Sequence, residues 1–324
     1  MLRIELRNAL DEGALAEILA LIEAARAMEG HTPVGEHKAS HLAVGARDWV
    51  GILAYDDDRL VGYAHTRWTP PGGTPRMAAE VVVHPEWHDR GVARHLLRET
   101  RGVLARAGGG LLYLWVHWVE DPQATLAFAM GFRIERELAF MTRALTASPP
   151  APAIPVGVEV RTYRPGRDDA AFLAVNNAAF LGHPENGGWS EADLAERRAL
   201  DWFDPDSLLL AWRGHELLGF HWTKWHGHDE EPPAHEPVGE VYVLGIAPAA
   251  QGLGLGRALL RAGLAHLYVR GCRRIVLYVD NASEGARRLY TTEGFTTESL
   301  EVCYAEDVWP VVDHSASALL RPAY

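Results

Sequence analysis

A glycine-rich segment at residues 251–257, Gln-Gly-Leu-Gly-Leu-Gly-Arg, lies between an apolar strand and an amphipathic helix. Glycines at such a junction allow backbone N–H groups to converge at the helix N-terminus, where unpaired donors and the helix dipole favour an anion. The segment lacks the Gly-Lys-Ser/Thr of a P-loop, and its glycine spacing differs from that of dinucleotide-binding folds. It therefore predicts a pyrophosphate-binding loop, with an ordinary tight turn as the alternative.

The elements that must position this loop follow from the apolar periodicity around it. A strand over 240–246 leads into the loop, a helix over 257–269 follows it, and a strand over 274–279 and a helix ending near Tyr290 come next. Before them, alternating patterns around a short turn predict a hairpin at 208–212 and 216–225. This order predicts an α/β domain whose mixed, mostly antiparallel sheet is flanked by helices.

A similar pattern of proline, glycine and arginine residues occurs a second time, earlier in the chain. Prolines, glycines and arginines recur at one fixed offset of 163 residues (248 − 85), so no insertion separates the two series. The pairs are Pro85 and Pro248, Gly91 and Gly254, Arg94 and Arg257, and Gly131 and Gly294. Repetition in an ungapped register indicates two copies of one domain.

A segment at residues 146–157 separates the two copies. It is rich in Pro and Ala and shows neither helical nor strand periodicity, which predicts a semi-rigid linker. We therefore expect an N-terminal domain over 1–145, a linker over 146–157 and a C-terminal domain over 158–324.

The composition of the 324-residue chain limits its partners and its compartment. Acidic residues outnumber basic ones by 43 to 31, and the net charge of -12 disfavours nucleic acid and anionic lipid. Two cysteines are too few for a disulfide framework, the N-terminus lacks a signal-peptide pattern, and no apolar run approaches the roughly 20 residues that span a bilayer. We expect a cytoplasmic monomer that acts on a small molecule, without nucleic acid or a membrane as partner.

The loop resembles the pyrophosphate-binding motif of the GCN5-related N-acetyltransferase (GNAT) superfamily, Gln/Arg-x-x-Gly-x-Gly/Ala. The matching positions are Gln251, Gly254 and Gly256 in the C-terminal copy, and His88, Gly91 and Ala93 in the N-terminal copy, where His88 replaces Gln or Arg. A later superfamily signature, Asn-x-x-Ala-x-x-Leu-Tyr-x-x-x-Gly-Phe, is similar to residues 283–295, with Ser283 in place of Asn. The resemblance implies two tandem GNAT-like domains and an acetyltransferase that uses acetyl-CoA.

Four strings resemble a narrower group within the superfamily, the tandem enzymes that acetylate the cysteinyl α-amine of cysteinyl-glucosaminyl-inositol to form mycothiol. The strings are GHTPVGEHK, NNAAFLGHPENGGWS, TKWH and GEVYVLGIAPAAQGLGLG. This resemblance implies substrate contacts for Glu36, Glu185, Lys224, Glu240 and Tyr278.

For acetyl-CoA, the resemblance implies one site in each copy. The C-terminal residues are Leu244, Gly245, Ile246, Gln251, Gly252, Leu253, Gly254, Leu255, Gly256, Arg257, Ser283, Glu284, Gly285, Ala286, Arg287 and Arg288. The N-terminal residues are Val81, Val82, Val83, His88, Asp89, Arg90, Gly91, Val92 and Ala93.

Acetyl transfer to an amine needs a neutral nucleophile, a polarised thioester carbonyl and a proton for the departing thiolate. Strand alternation predicts Glu240 on the same face as Tyr242 and Leu244, where its carboxylate can act as the base. The superfamily often places the acid at the position of Tyr290. It also implies a β-bulge that frees the N–H groups of residues 244–246 to polarise the carbonyl.

The N-terminal copy lacks both proton-handling residues. The counterpart of Glu240 is Met77, and that of Tyr290 is Ala127. The nearest carboxylate, Glu80, corresponds to Val243, and we expect it to point to the other side of its strand. The C-terminal copy is therefore predicted to be catalytic and the N-terminal copy to support it.

Two other functions are compatible with the sequence. One keeps the fold and acetylates a different amine, such as an aminoglycoside, a polyamine or a peptide N-terminus; the other is a non-catalytic acyl-CoA-binding sensor. Separately from these functions, the structural alternative for Glu240 is a solvated strand-end carboxylate, and that for Tyr290 is a tyrosine that caps the core. The histidine-rich stretch at 221–235 has spacings that fit no familiar zinc site, so no metal is expected.

Overall fold

In the computed structural model the chain forms two compact units, and each unit contains residues from both sequence copies. The structure describes residues 2–29, 42, 49–68, 76–181, 187–227 and 236–311. The first unit combines the described residues of Met1–Leu138 and Ser299–Tyr324, and the second unit consists of those of Ala139–Glu298. Residues 146–157 contain neither helix nor strand.

The strands and helices are numbered here in chain order. The strands are β1 (Arg3–Arg7), β2 (Trp49–Asp56), β3 (Arg59–Trp68), β4 (Arg76–Val83), β5 (Gly110–Val119), β6 (Arg133–Ala144), β7 (Glu159–Thr162), β8 (Leu208–Arg213), β9 (Glu216–His226), β10 (Val238–Ile246), β11 (Arg274–Asp280) and β12 (Thr296–Val308). The α-helices are α1 (Glu12–Glu29), α2 (Val92–Arg106), α3 (Leu126–Ala129), α4 (Asp169–Ala179), α5 (Glu191–Arg198), α6 (Leu255–Val269) and α7 (Glu284–Thr292).

Each unit contains a mixed, mostly antiparallel sheet flanked by helices, which confirms the predicted α/β fold. The first unit orders its strands β1-β2-β3-β4-β5-β12, and β4 and β5 are its parallel pair. The second unit orders its strands β7-β8-β9-β10-β11, with residues 139–144 of β6 next to β11. There β10 and β11 run parallel, as the strand-helix-strand pattern requires.

The C-terminal part of the last strand of each sequence copy, residues 139–144 of β6 and 299–308 of β12, lies in the unit built mainly by the other copy. Strand β12 pairs antiparallel with β5, with Leu300 opposite Val119 and Val308 opposite Gly110. After β6, the N–H of Leu145 donates to the carbonyl of Arg273 at 2.7 Å. Strand pairing therefore divides the chain after residues 138 and 298, whereas the sequence repeat divides it at the linker.

Both copies repeat one backbone conformation at the predicted pyrophosphate loop. Helices α2 and α6 begin 163 residues apart (255 − 92), and a 3-10 helix precedes each. Left-handed φ values of 60° at Asp89 and 79° at Gly91 match 80° at Gly252 and 77° at Gly254. Because a non-glycine residue rarely adopts this conformation, Asp89 shows that the N-terminal copy has kept the geometry of the loop.

The strands that lead into the two loops differ by one residue. In β10 the register with β9 shifts between Val241 and Val243, because Tyr242 is an extra residue that forms a β-bulge. In the other copy, β3 and β4 stay in register over all their described pairs, from Gly62 to Trp68. A one-residue shift sends the following side chains to the opposite face of the sheet, so β4 and β10 present different residues to equivalent faces.

Helix α6, which begins at the loop, packs closely on β9 because Gly263 has no side chain. A Cβ at Gly263 would lie 2.1 Å from Nδ1 of His221. That nitrogen donates to the carbonyl of Leu259 at 2.9 Å, and burial lowers the pKa of His221 to about 4, so the ring is neutral. The close contact and the hydrogen bond fix the helix to the sheet, and with it the loop.

Candidate active site

The N-terminus of α6 offers unpaired backbone donors. Its N-cap residue, Gly254, is left-handed and makes no side-chain cap. The first bond back to the cap runs from Ala258 N–H to Gly254 O at 3.2 Å, so the N–H groups of residues 255–257 have no partner within the helix. A Cβ at Gly252 or Gly254 would meet nothing within 4 Å. An open cluster of amides at a helix N-terminus suits a phosphate group.

A buried carboxylate ties this loop to α7. Glu293, just beyond α7, has a side chain only 4% exposed and accepts two hydrogen bonds of 2.9 Å from Arg261 on α6. Arg257, the last residue of the loop, lies 3.0 Å from the same carboxylate. Because charge-assisted bonds of this kind are strong when partly buried, they hold the two helix ends in fixed positions.

Tyr290 lies on α7 in the interior of the second unit. Its ring packs edge-to-face on Phe295, with ring centroids 5.8 Å apart, and burial raises the pKa of its hydroxyl. No described residue accepts or donates a hydrogen bond at this hydroxyl. Ser283, which stands where the superfamily has Asn, precedes α7 and makes no side-chain cap to it.

Glu240 lies on β10, directly opposite Lys224 on β9. Its side chain is 13% exposed, and its Oε2 lies 2.7 Å from Nε2 of His226. Lys224 is buried, and its ammonium lies 4.8 Å from the centroid of the Trp202 ring in a cation–π contact. A carboxylate, an imidazole and an ammonium therefore share one face of the sheet.

Tyr278 on β11 lies on the same face. Glu240 pairs in parallel with Val276, and alternation puts Tyr278, two residues further on, on the side of Glu240. Its side chain is 49% exposed, and its ring centroid lies 5.0 Å from that of Phe140. The structure thus brings the predicted substrate residues Lys224, Glu240 and Tyr278 to one surface.

Two other predicted substrate residues, Glu36 and Glu185, lie outside the described residues. Histidines 228 and 235 of the stretch considered as a metal site are also outside them. Within the described ranges, no group of three or more His, Cys, Asp or Glu side chains is arranged to hold a metal ion.

The bulge makes one sequence expectation wrong. Alternation predicted Leu244 on the face of Glu240 and Tyr242. Tyr242 does lie there, with its ring centroid 4.9 Å from that of Trp202. Leu244, however, packs with Leu259 beneath α6, because the extra residue reverses the alternation.

Strands β10 and β11 separate after Glu240. Their paired positions end with Glu240 opposite Val276, whereas residues 244–246 stay paired with β9 on the other side. In the described structure residues 244–246 have no β11 partner, so part of their backbone polar groups is left for another ligand. These are the residues that the resemblance assigned to acetyl-CoA.

The first unit contains a cavity of ≈ 670 Å³ at its own copy of the loop. Every N-terminal residue predicted to surround a second CoA lines this cavity except Arg90. Ala127 lines it at the position that corresponds to Tyr290. The sequence offset assigned Met77 to Glu240, but Ala78 pairs with Tyr113 as Glu240 pairs with Val276, so the extra residue of the bulge makes Ala78 the counterpart. The loop and a cavity are retained without the two proton-handling residues.

Glu80 does not point where the sequence predicted. It lies opposite His65 on β3, and Val82, two residues on, packs with residues of α1. Helix α1 is the counterpart of α4, which covers the face of Tyr242 in the second unit. The expectation was wrong because it ignored the bulge: Glu80 lies on the face that corresponds to that of Glu240.

Sequence reasoning also missed a buried cluster in the first unit. Nε2 of His117 lies 3.2 Å from Oε1 of Glu80, and its Nδ1 contacts the carboxylate of Glu301 on β12. Burial alone would lower the pKa of His117, but the hydrogen bonds and charges of Glu301 and Glu80 outweigh it and raise the pKa to about 9. The available signal was the presence of these residues in otherwise apolar strands, which indicates a buried partner.

Comparisons with known proteins agree with two copies. The profile described as "Acetyltransferase (GNAT) family" matches residues 175–295, and that described as "Acetyltransferase (GNAT) domain" matches residues 48–134.

Proteins called mycothiol acetyltransferase match nearly the whole chain. The protein from Thermobispora bispora is 42% identical over 304 residues, which cover 93% of this chain and 98% of the relative. The protein from Geodermatophilus obscurus is 44% identical over 301 residues, which cover 91% and 95%. This chain belongs to the mycothiol acetyltransferase family. It is an acyltransferase with two GNAT domains in tandem, and GNAT acetyltransferases use acetyl-CoA.

Solved structures share the fold of this mycothiol acetyltransferase family member. A GCN5-related N-acetyltransferase from Sphaerobacter thermophilus has a TM-score of 0.70 at 23% identity, covering 96% of this chain and 98% of its own. A tandem GNAT protein from the clavulanic acid biosynthesis pathway has a TM-score of 0.71 at 16% identity, covering 96% and 100%. No helix in the described ranges is long and apolar enough to cross a membrane.

The raised pKa of His117 predicts a pH-dependent stability. Because the folded value of about 9 lies above the ordinary 6.5, the stabilisation is complete below pH 6.5 and is lost as pH rises through about 9. In urea unfolding, the wild-type midpoint should fall over this interval, and His117→Gln should reduce the fall. His95→Gln, at an exposed position of α2, is the control and should keep the wild-type pH dependence. An unchanged pH dependence in His117→Gln would contradict the raised pKa.

Proposed function

We propose that this chain acetylates the cysteinyl α-amine of cysteinyl-glucosaminyl-inositol with acetyl-CoA and so forms mycothiol. The second unit performs the chemistry. The observation that carries the proposal is that Glu240, Lys224 and Tyr278 share one face of the sheet, where β10 and β11 separate. Support for the acceptor comes from the relatives at 42% and 44% identity, which are called mycothiol acetyltransferase.

Acetyl-CoA supplies the acetyl group as a thioester when it is bound. We assign its pyrophosphate to the unpaired amides at the start of α6, within the loop 251–257. We assign its pantetheine arm to the unpaired edge at 244–246 and to residues 283–288 at the start of α7. The amide donors and the open glycine positions fit an anionic, extended ligand.

Glu240 removes the proton from the acceptor amine. An α-amine has an ordinary pKa of about 7.7–8.0, so a large part of it is neutral near pH 8 and the base has modest work to do. A mostly buried carboxylate both orients the charged amine and accepts its proton.

Tyr290 donates a proton to the departing sulfur. Since burial raises the pKa of its hydroxyl, the group keeps its proton at neutral pH, and no described residue competes for it. The Glu293 contacts with Arg257 and Arg261 keep α7, and therefore Tyr290, at a fixed position relative to the loop.

The first unit supports the second and does not acetylate. Its cavity keeps the loop conformation, so we assign a second CoA to it, but Ala78 and Ala127 provide neither base nor acid. This assignment places the catalytic residues in the second unit, after the linker.

A survey of acceptors tests the proposed reaction. With the full chain and acetyl-CoA, cysteinyl-glucosaminyl-inositol should release thiol with a kcat/KM about a hundredfold or more above that of aminoglycosides, polyamines or peptide N-termini. A preference for any of those amines would contradict mycothiol formation. Binding of acetyl-CoA without thiol release with every amine would support a sensor instead.

Substitution of the two proton-handling residues tests the mechanism. Glu240→Gln should lower kcat/KM about a hundredfold, most strongly below pH 7.7, where the amine is mainly charged. Tyr290→Phe should lower kcat and leave the KM for acetyl-CoA unchanged, because the acid acts on the leaving group. Glu216→Gln, at the exposed first residue of β9, is the control. Wild-type turnover in either test variant would remove that residue from its role.

The duplicated loop offers a matched pair of variants. Gly254 and Gly91 are both left-handed N-cap residues, and at both a Cβ would meet nothing within 4 Å. Valine introduces the same kind of backbone strain at each, of about 1–3 kcal/mol. Gly254→Val should raise the acetyl-CoA KM of the reaction at least about tenfold, and Gly91→Val should leave kcat near the wild-type value. The reverse result would make the first unit the catalyst.

A further inference from the structure

The proposed proton transfers by Glu240 and Tyr290 do not involve His226, which contacts Glu240. Nε2 of His226 lies 2.7 Å from Oε2 of Glu240, with the imidazole 28% exposed and the carboxylate side chain 13% exposed. In the described structure, His226 is the residue that hydrogen-bonds this carboxylate. One carboxylate oxygen is therefore fixed, and no described residue hydrogen-bonds Oε1, the oxygen that remains for an amine.

Other charged groups near this pair are engaged elsewhere. Lys224, opposite Glu240 on β9, places its ammonium over the Trp202 ring. Arg274 on β11 bonds to Glu298 at 2.9 Å. Arg270, beyond α6, stacks on the ring of Trp225, 4.9 Å from its centroid. Among the described residues none of these contacts reaches Glu240, so His226 sets the orientation of its carboxylate.

The C-terminal copy has both His226 and Glu240, and the N-terminal copy has neither a histidine nor a carboxylate at the corresponding positions. At the offset of the hairpin, 157 residues (225 − 68), His226 corresponds to Thr69, which lies outside the described residues. Glu240 corresponds to Ala78, since Glu240 lies opposite Lys224 and Ala78 lies opposite Arg67, 157 residues before Lys224. The copy that lacks the carboxylate also lacks the imidazole.

We propose that His226 is a positioning residue for acetyl transfer. Its Nε2–H donates to Oε2 of Glu240, which aims Oε1 at the acceptor amine. This inference rests on the proposed function, in which Glu240 is the base. It adds a second requirement to the acceptor site, namely a donor on β9 that acts only through Glu240.

A double-mutant cycle tests this role, because a residue that acts through Glu240 has no effect once Glu240 is removed. The four proteins are the wild type, His226→Leu, Glu240→Gln and the double variant. His226→Leu should lower kcat about tenfold to a hundredfold, the effect of one hydrogen bond to a charged group, with an unchanged KM for acetyl-CoA. In the Glu240→Gln background the same substitution should change kcat little.

Two further variants complete the experiment. His226→Gln keeps an N–H donor and should recover most of the lost kcat, whereas His215→Leu, in the exposed hairpin turn, should leave kcat unchanged. The cycle repeated with His226→Ala covers the case in which the leucine variant does not fold, as judged by thermal unfolding.

The possible results separate the two proposals. An equal loss of kcat from His226→Leu in both backgrounds, or no loss in the wild-type background, would overturn the role of His226 while leaving Glu240 as the base. Wild-type kcat in Glu240→Gln alone would overturn the proposed base itself, and the inference about His226 with it.

Discussion

One extra residue in β10 determines what meets at the candidate active site. Before the bulge at Tyr242, Glu240 shares a face with Lys224, and after it Leu244 turns under α6. Pairing with β11 also ends at Glu240, so the backbone beyond it is available to a ligand. In the first unit the regular strand β4 continues without a bulge, and Glu80 is held in a buried cluster instead.

Local signals predicted the parts of the structure that depend on local physics. The duplication, the α/β order of elements and the loop at 251–257 were predicted because glycine positions and apolar periodicity act over a few residues. Left-handed φ values at Gly252 and Gly254 explain why glycine occurs there. Asp89 shows the limit of that reasoning, since the surrounding fold imposes the same conformation on a residue that does not prefer it.

The features that the sequence did not predict arise from pairing between distant strands. The sides of the sheet on which Leu244 and Glu80 lie were predicted wrongly, because strict alternation was applied across the bulge in β10. The position of a bulge depends on the register with a neighbouring strand. His226 was considered only as part of a histidine-rich stretch, because its contact with Glu240 exists only once β9 and β10 pair. Glu301 and His117 are 184 residues apart, too far for any spacing rule to connect them.

The exchange of β6 and β12 affects how the chain folds as it leaves the ribosome. An N-terminal domain usually folds while the rest of the protein is still being made. Here the strand that covers the edge of β5 comprises residues 299–308, so it is translated only after the whole of the second unit. Until then that edge offers unpaired N–H and C=O groups, a template for aggregation. Separating the gene at the linker would leave each fragment without the strand that completes its sheet.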